Sequence, residues 1–332
     1  MDPEPEVNFS TSRLRNVAAA SVLGLGAAAA LVALSARRTE RKHPPAGRFV
    51  NVSGVAVHYL EVGSGPPVVL IHGNMMSSED FVASGIVERL ATRHRVIVFD
   101  RPGFGYTDRP PGTGWTPTRQ AALLHEALVA LEVVDPILVG HSLGSLVTVA
   151  LAIAYPADAR ALVLLSGYYF PTNPLGVTSR ALPALPGLVD VARFTTAPVM
   201  ARVMSPVIAR TMFSPAPVTP SFAEYPLSMS RRPSQIRATL EDAAFMDPCA
   251  NELAGRYAEL TMPVEILAGD GDKVVNTWQQ SQRLGRHVPD ANFGIVVGAG
   301  HMIHYIAPER VVAAIEKVEN RLAGFPRHAV AV

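Results

Sequence analysis

Hydrophobic and polar positions divide the chain into three regimes. Residues 17–36 run for twenty positions without a charge. From residue 48 to about 171, short apolar runs alternate with longer stretches whose apolar positions recur every three or four residues. The same alternation returns from 260 to 322. Between these two parts, residues 172–259 carry many prolines and few runs of strand character.

The apolar runs read as strands. Residues 48–52 and 55–62 meet at Ser53-Gly54, a hairpin signal. Residues 67–71, 95–99, 137–139, 161–165, 263–268 and 293–297 have the composition of strands, most of them buried on both faces. Helices are expected at 80–92, 118–131, 146–154, 277–285 and 308–322. Strands alternating with helices predict an α/β fold, a mostly parallel sheet flanked by helices on both faces. Residues 172–259 read as an inserted helical segment. Patches at 189–194 and 199–213 look like short amphipathic helices, and five methionines (Met200, Met204, Met212, Met229, Met246) are scattered through it.

As a helix, residues 17–36 would span about 30 Å, the thickness of a bilayer core. A transmembrane anchor, a cleaved signal peptide and a buried helix all fit that length. Arg37, Arg38, Arg41 and Lys42 follow at once and Pro44-Pro45 resembles a stalk, which disfavours a buried helix. Ala33-Leu34-Ser35 would serve as a cleavage site, but Ala36-Arg37-Arg38 is a poor mature start. The expected layout is a polar tail at 1–16, a single-pass transmembrane helix at 17–36 and a stalk at 37–47. Arg13 and Arg15 precede the span and four basic residues follow it. The positive-inside rule therefore puts the large domain on the cytoplasmic side.

Composition adds little to this picture. At 332 residues and 48% apolar, the chain has ample material for a core. A formal net charge of +1 gives no electrostatic reason for a nucleic-acid partner. The single cysteine, Cys249, has no internal disulfide partner and no zinc-ligand spacing.

The chemistry centres on Gly140-His141-Ser142-Leu143-Gly144, a serine between an apolar strand and a helix. G-x-S-x-G in that context is a nucleophile elbow, whose glycines let the backbone turn without a Cβ clash. A serine hydroxyl needs a base to take its proton, and the base needs an orienting acid. Two later strand ends offer them: Gly269-Asp270-Gly271-Asp272 and Gly298-Ala299-Gly300-His301. In a parallel sheet these ends share one edge with the elbow. Asp270 and Asp272 compete as the acid, and His304 rivals His301 as the base. His301-x-x-His304 lacks the H-E-x-x-H pattern and an obvious carboxylate partner, so no metal site is expected.

Residues 48 to 322 resemble the cap-bearing branch of the α/β-hydrolase fold family. His72-Gly73-Asn74, Asp100-Arg101-Pro102-Gly103-Phe104-Gly105, the elbow and the two loops just quoted carry the likeness. The resemblance implies Ser142 as nucleophile, His301 as general base then acid, and Asp272, three residues after the loop glycine, as orienting acid. It implies an oxyanion hole from the backbone N–H groups of Asn74 and Leu143. It makes 172–259 a cap over a core built from 48–171 and 260–325, with a tail at 326–332. His72 is expected to hold the oxyanion loop, and Asp100 and Arg101 the loop after their strand. Tyr168, Tyr169 and Phe170 are expected as pocket walls. An asparagine at 74 also resembles haloalkane dehalogenases, where that side chain binds halide. Those enzymes, like epoxide hydrolases, carry an aspartate where this chain has Ser142.

The implied function is a cofactor-free serine hydrolase of a carboxylic ester with a lipophilic group, since methionines in a cap suit an adaptable apolar pocket. The same triad serves carbon–carbon bond hydrolases of diketo acids, whose anionic substrates would call on Arg193, Arg231 or Arg232. It also serves perhydrolases and haloperoxidase-like enzymes, and the fold serves ligand receptors.

Overall fold

The computed structural model describes residues 11–172 and 186–323. The first ten residues, residues 173–185 of the insertion and the expected tail at 326–332 lie outside the described residues.

Eight strands form one sheet: β1 (Arg48–Val52), β2 (Val55–Val62), β3 (Pro67–Ile71), β4 (Arg95–Phe99), β5 (Ile137–His141), β6 (Ala161–Leu165), β7 (Val264–Gly269) and β8 (Ala291–Val296). Their spatial order is β1-β2-β4-β3-β5-β6-β7-β8. The β1–β2 and β2–β4 pairings are antiparallel and the rest are parallel. Every residue of β5, β6 and β7 is buried, as expected of strands covered on both faces. One face packs on helices Pro117–Ala130 and Leu143–Ala154 and the other on Ile86–Ala91 and Pro308–Leu322. The Pro117–Ala130 helix starts where the sequence signals it, with Thr116 as N-cap accepting from the Arg119 N–H and proline at its first position.

Because six strands run parallel, β3, β4, β5, β7 and β8 deliver His72, Asp100, Ser142, Asp270 and Val297 to one edge. The insertion lies between β6 and β7 and contributes helices Pro186–Arg193, Ala197–Phe213 and Pro233–Leu253. A small apolar cluster joins it to that edge, with Met212, Phe213, Phe222 and Tyr225 against Met76, Met302 and Tyr305.

Three expectations need correction. The helix expected at 80–92 is two helices, Glu79–Ala83 and Ile86–Ala91, because Gly85 takes φ +77° and turns the chain between them. The element expected at 277–285 is a π-turn, Trp278–Gln282, followed by a single α-turn. The stalk expected at 37–47 is helical to Lys42, since the run Arg-Arg-Thr-Glu-Arg-Lys consists mostly of good helix formers. The first helix is therefore Thr11–Lys42, and it also takes in the end of the expected polar tail. Its apolar part averages 2.0 in hydropathy, and none of that stretch is buried.

Candidate active site

The elbow is built by close packing that only glycine permits. Ser142 takes φ +54°, ψ −123°, a conformation that costs a non-glycine residue on the order of 1–3 kcal/mol. A Cβ on Gly144 would overlap the carbonyl oxygens of Ile71 and His72, and one on Gly140 would overlap Thr148. The turn is pinned by Ser145 Oγ donating to the Gly140 carbonyl at 2.8 Å and by Ser142 N–H donating to the Leu165 carbonyl at 2.9 Å. Ser142 is half-buried, while Leu143 behind it is buried. Leu143 opens the helix, so its N–H is one of those that the helical ladder leaves free.

The loops bearing Asp272 and His301 meet each other after β7 and β8. His301 Nδ1 lies 2.8 Å from Asp272 Oδ2, and both side chains are almost fully buried. Asp272 Oδ1 accepts from the Val274 and Val275 N–H groups at 2.8 and 2.9 Å. Asp270 faces elsewhere: it is exposed and accepts from the Gly298 N–H at 2.7 Å. Gly269 allows the two loops to approach, since a Cβ there would overlap the Ala299 and Gly300 carbonyls. The insertion reaches this point too, because the His301 N–H donates to the Met212 carbonyl at 2.7 Å.

His304 is not the histidine that meets Asp272. Its Nε2 lies 3.0 Å from Asp80 Oδ2 and both side chains are wholly buried. Asp80 is the carboxylate partner that the sequence did not reveal, 224 residues away. These two and His141 form a buried three-donor group in which the Asp80–His304 pair already stands at hydrogen-bond distance. His141 donates Nε2–H to the His301 carbonyl at 3.1 Å. Burial, and then the neighbouring His304 and His301, hold its pKa well below the ordinary histidine value.

The loop after β3, expected to carry an oxyanion donor, is held by groups whose partners are remote in sequence. Gly73 passes so close to the elbow that a Cβ would sit 3.0 Å from the Ser142 Cβ. The Arg101 guanidinium donates to the His72 carbonyl at 2.9 Å and to the Gly73 carbonyl at 3.0 Å. It also bonds Gln120 at 2.8 Å and pairs with Asp242 of the insertion at 2.6 Å, both partners wholly buried. Burial draws the Arg101 pKa below its ordinary range, and Asp242 opposes that pull. Arg109 reaches the same Asp242 at 3.0 Å. His72 Nε2 accepts from the Arg101 N–H at 3.0 Å, so its Nδ1–H donates to the Gly73 carbonyl at 2.7 Å. Burial and the Arg101 charge push this histidine down to about 3, in keeping with a neutral ring. Burial alone would raise the Asp100 carboxyl. Its bonds to His58 at 2.7 Å and to the Ser78 N–H hold it below the usual range.

The Asn74 side chain is turned away from the elbow. Its amide donates to the Thr239 carbonyl at 3.1 Å and its oxygen accepts from the Met75 N–H at 2.9 Å. Tyr168, Tyr169 and Phe170, expected as pocket walls, are buried side chains. They belong to the core, and Gln280 clamps the backbone of Tyr169 and Phe170. Of the five methionines, Met212 and Met229 are buried, Met246 packs on the core, and Met200 and Met204 face outward. An apolar pocket does lie between Met75 and Met76, just past Asn74, and Ser205, Ile208, Ala209 and Met212 of the insertion.

Known proteins share this architecture. Residues 66–308 match the family model described as alpha/beta hydrolase fold. The chain is 28% identical over 271 residues to 2-(acetamidomethylene)succinate hydrolase of Mesorhizobium japonicum, covering 81% of this chain and 93% of that protein. It is 27% identical over 285 residues to haloalkane dehalogenase 2 of Mycobacterium bovis, covering 82% and 94%. Its structure is similar to that of a thermophilic esterase from Thermogutta terrifontis, with a TM-score of 0.66, 22% identity, and coverage of 83% of this chain and 97% of that one.

Proposed function

The chain belongs to the α/β hydrolase fold family, and on that footing we propose that it is a serine hydrolase cleaving carboxylic esters with a lipophilic group. The observation that carries the reading is the hydrogen bond of Asp272 to His301 on the loops beside an elbow that presents Ser142 at φ +54°. With Nδ1–H given to Asp272, His301 keeps its Nε2 lone pair as the base. Ser142 Oγ attacks the ester carbonyl carbon while His301 takes its proton. The Asn74 and Leu143 N–H groups receive the oxyanion, each worth about 3 kcal/mol of transition-state stabilisation. His301 returns the proton to the departing alkoxide. Water, deprotonated by His301, then splits the acyl-enzyme to free acid and Ser142.

Residues 172–259 act as the cap in this reading, and the apolar pocket beside Met75 takes the lipophilic group. The dehalogenase-like reading has less support, since Ser142 holds the nucleophile position and the Asn74 amide is spent on Thr239. The N-terminal helix is proposed as an uncleaved membrane anchor with the hydrolase domain on the cytoplasmic side. Its unburied apolar length supports the anchor.

Labelling with a fluorophosphonate probe, beside Ser142→Ala, tests the proposal, together with hydrolysis of p-nitrophenyl esters of increasing acyl length. Labelling and turnover that require Ser142 are expected, with turnover maintained for longer acyl chains. Labelling that persists in Ser142→Ala, or turnover that falls steadily with chain length, would refute the corresponding part.

A further inference from the structure

The helix Ala197–Phe213 has two apolar faces. One, with Ser205, Ile208, Ala209 and Met212, lines the pocket beside Met75. The other is open to solvent. Val199, Met200, Val203 and Val207 are 61%, 60%, 65% and 52% exposed, and Met204 lies beside them at 39%. Isolated exposed apolar residues are ordinary, but a continuous stripe at helical spacing marks a docking face.

The surroundings of the stripe indicate what docks there. Leu31, Ser35 and Ala36 of the N-terminal helix line one groove with Pro198, Val199 and Arg202, so this helix starts alongside the end of the apolar span. On the N-terminal helix, Ala28, Ala29, Val32, Ala33, Ala36 and Thr39 form a half-covered stripe of helical period. Arg232 pairs with Glu40 at 3.0 Å and the Tyr106 hydroxyl donates to the Glu40 carbonyl at 3.3 Å, which ties the base of that helix to the hydrolase domain. From Leu31 to Ala36 the helix rises roughly 7 Å. If Ala36 stands at the membrane boundary, Val199 beside it is carried to headgroup depth, where interfacial helices bury their apolar faces by about 5–10 Å. Charge agrees. Residues 191–240 contain six arginines and one acidic residue, Glu224; Arg193, Arg232 and Arg237 pair with Asp190, Glu40 and Glu241, which leaves Arg202, Arg210 and Arg231 with no ion pair among the described residues. Arg202 and Arg210 lie on the exposed part of the stripe helix itself.

We infer that the outer face of Ala197–Phe213 docks on an anionic bilayer surface, so that the same helix touches lipid on one side and the substrate pocket on the other. The inference rests on the anchor reading and adds that the hydrolase domain itself lies against the membrane. A lipophilic ester would then reach the site from the bilayer, without crossing water.

The test uses the full chain reconstituted in vesicles of phosphatidylcholine and phosphatidylglycerol that carry shallow nitroxide-labelled lipids. A thiol-reactive fluorophore is placed in turn at Leu23→Cys in the span, Val203→Cys on the stripe and Val129→Cys, an exposed position on the helix Pro117–Ala130. The buried native Cys249 is measured as the wild-type background. Positions 23 and 203 should be quenched several-fold more than 129, and quenching at 203 should weaken in pure phosphatidylcholine. Strong quenching at 23 with position 203 no better quenched than 129 overturns the inference and leaves the anchor standing. That is also the result if a second copy or another protein covers the stripe. No quenching at 23 refutes the anchor reading and the inference with it. Equal quenching at 203 in neutral vesicles overturns the anionic surface.

Discussion

The buried pair between Arg101 and Asp242 lends itself to a quantitative prediction, because it links the loop after β3 to the insertion. Asp242→Ala removes the only carboxylate that faces Arg101 among the described residues. It also removes a partner of Arg109 and of the Gln120 amide, at 3.0 and 3.1 Å. Breaking a buried pair from one side leaves an uncompensated charge and typically costs about 3–5 kcal/mol. With two guanidinium groups affected, the upper half of that range is expected. Arg101→Met/Asp242→Leu removes both charges and should recover much of the loss, since apolar replacement of a buried pair is often close to neutral. Activity should behave differently. Arg101 holds the His72 and Gly73 carbonyls, so the double variant frees the loop bearing the Asn74 N–H. Its kcat should fall by about 10², the scale of losing one oxyanion donor. Urea unfolding in detergent micelles, followed by Trp115 fluorescence, measures the stabilities. Trp115 is buried, and its carbonyl accepts from Gln120 at 3.0 Å. Steady-state ester hydrolysis measures kcat. An Asp242→Ala cost below about 1 kcal/mol would refute the stability argument. A double variant with wild-type kcat would refute the role of Arg101 as a positioning residue.

Other perturbations separate the remaining parts of the site. Asp272→Asn should lower kcat about 10⁴-fold with little change in KM, whereas Asp270→Asn should leave both near wild type, as steady-state kinetics can check. Gly144→Ala should destabilise the fold by more than about 3 kcal/mol in thermal unfolding, because the new methyl meets backbone carbonyls that cannot yield, while Gly24→Ala, with open space around it, should change nothing measurable. The folded-state pKa of His72, about 3, lies below its ordinary 6.5, so the unfolded chain binds the extra proton and stability falls as pH drops between those values. Between pH 7 and pH 5 this one residue should cost about 2 kcal/mol in urea unfolding, a loss that His72→Gln should not show. Deleting residues 1–36 should leave the protein only peripherally bound, released from membranes by a high-salt wash on ultracentrifugation, and continued sedimentation with membranes after that wash would refute the helix as the anchor.

Much of the fold was legible because its signals are local. A wholly apolar run such as 67–71 or 161–165 states its burial without reference to anything else, and both strands occur with those bounds. The Thr116-Pro117 start and the Gly-flanked Ser142 are equally local. Less legible were breaks within elements. Gly85 lies inside an apolar pattern of helical period, and the turn there is made by the packing of the second helix on β4, β2 and the helix Pro308–Leu322, which the local pattern does not record.

The sequence by itself determined the α/β order, the elbow with its serine, and two later loops able to supply an acid and a base, because strand alternation and turn chemistry are written in neighbouring residues. Tertiary structure alone decided which groups meet. It turned Asp272 toward His301 and sent Asp270 to Gly298. It gave His304 to Asp80, and Arg101 to both the His72-Gly73 carbonyls and Asp242. It also divided the methionines, burying Met212 and turning Met200 outward. The physical reason is the same each time. A side chain's partner is set by the direction it leaves the backbone and by what packs there, often more than a hundred residues away in the chain. Spacing along the sequence carries no record of that direction.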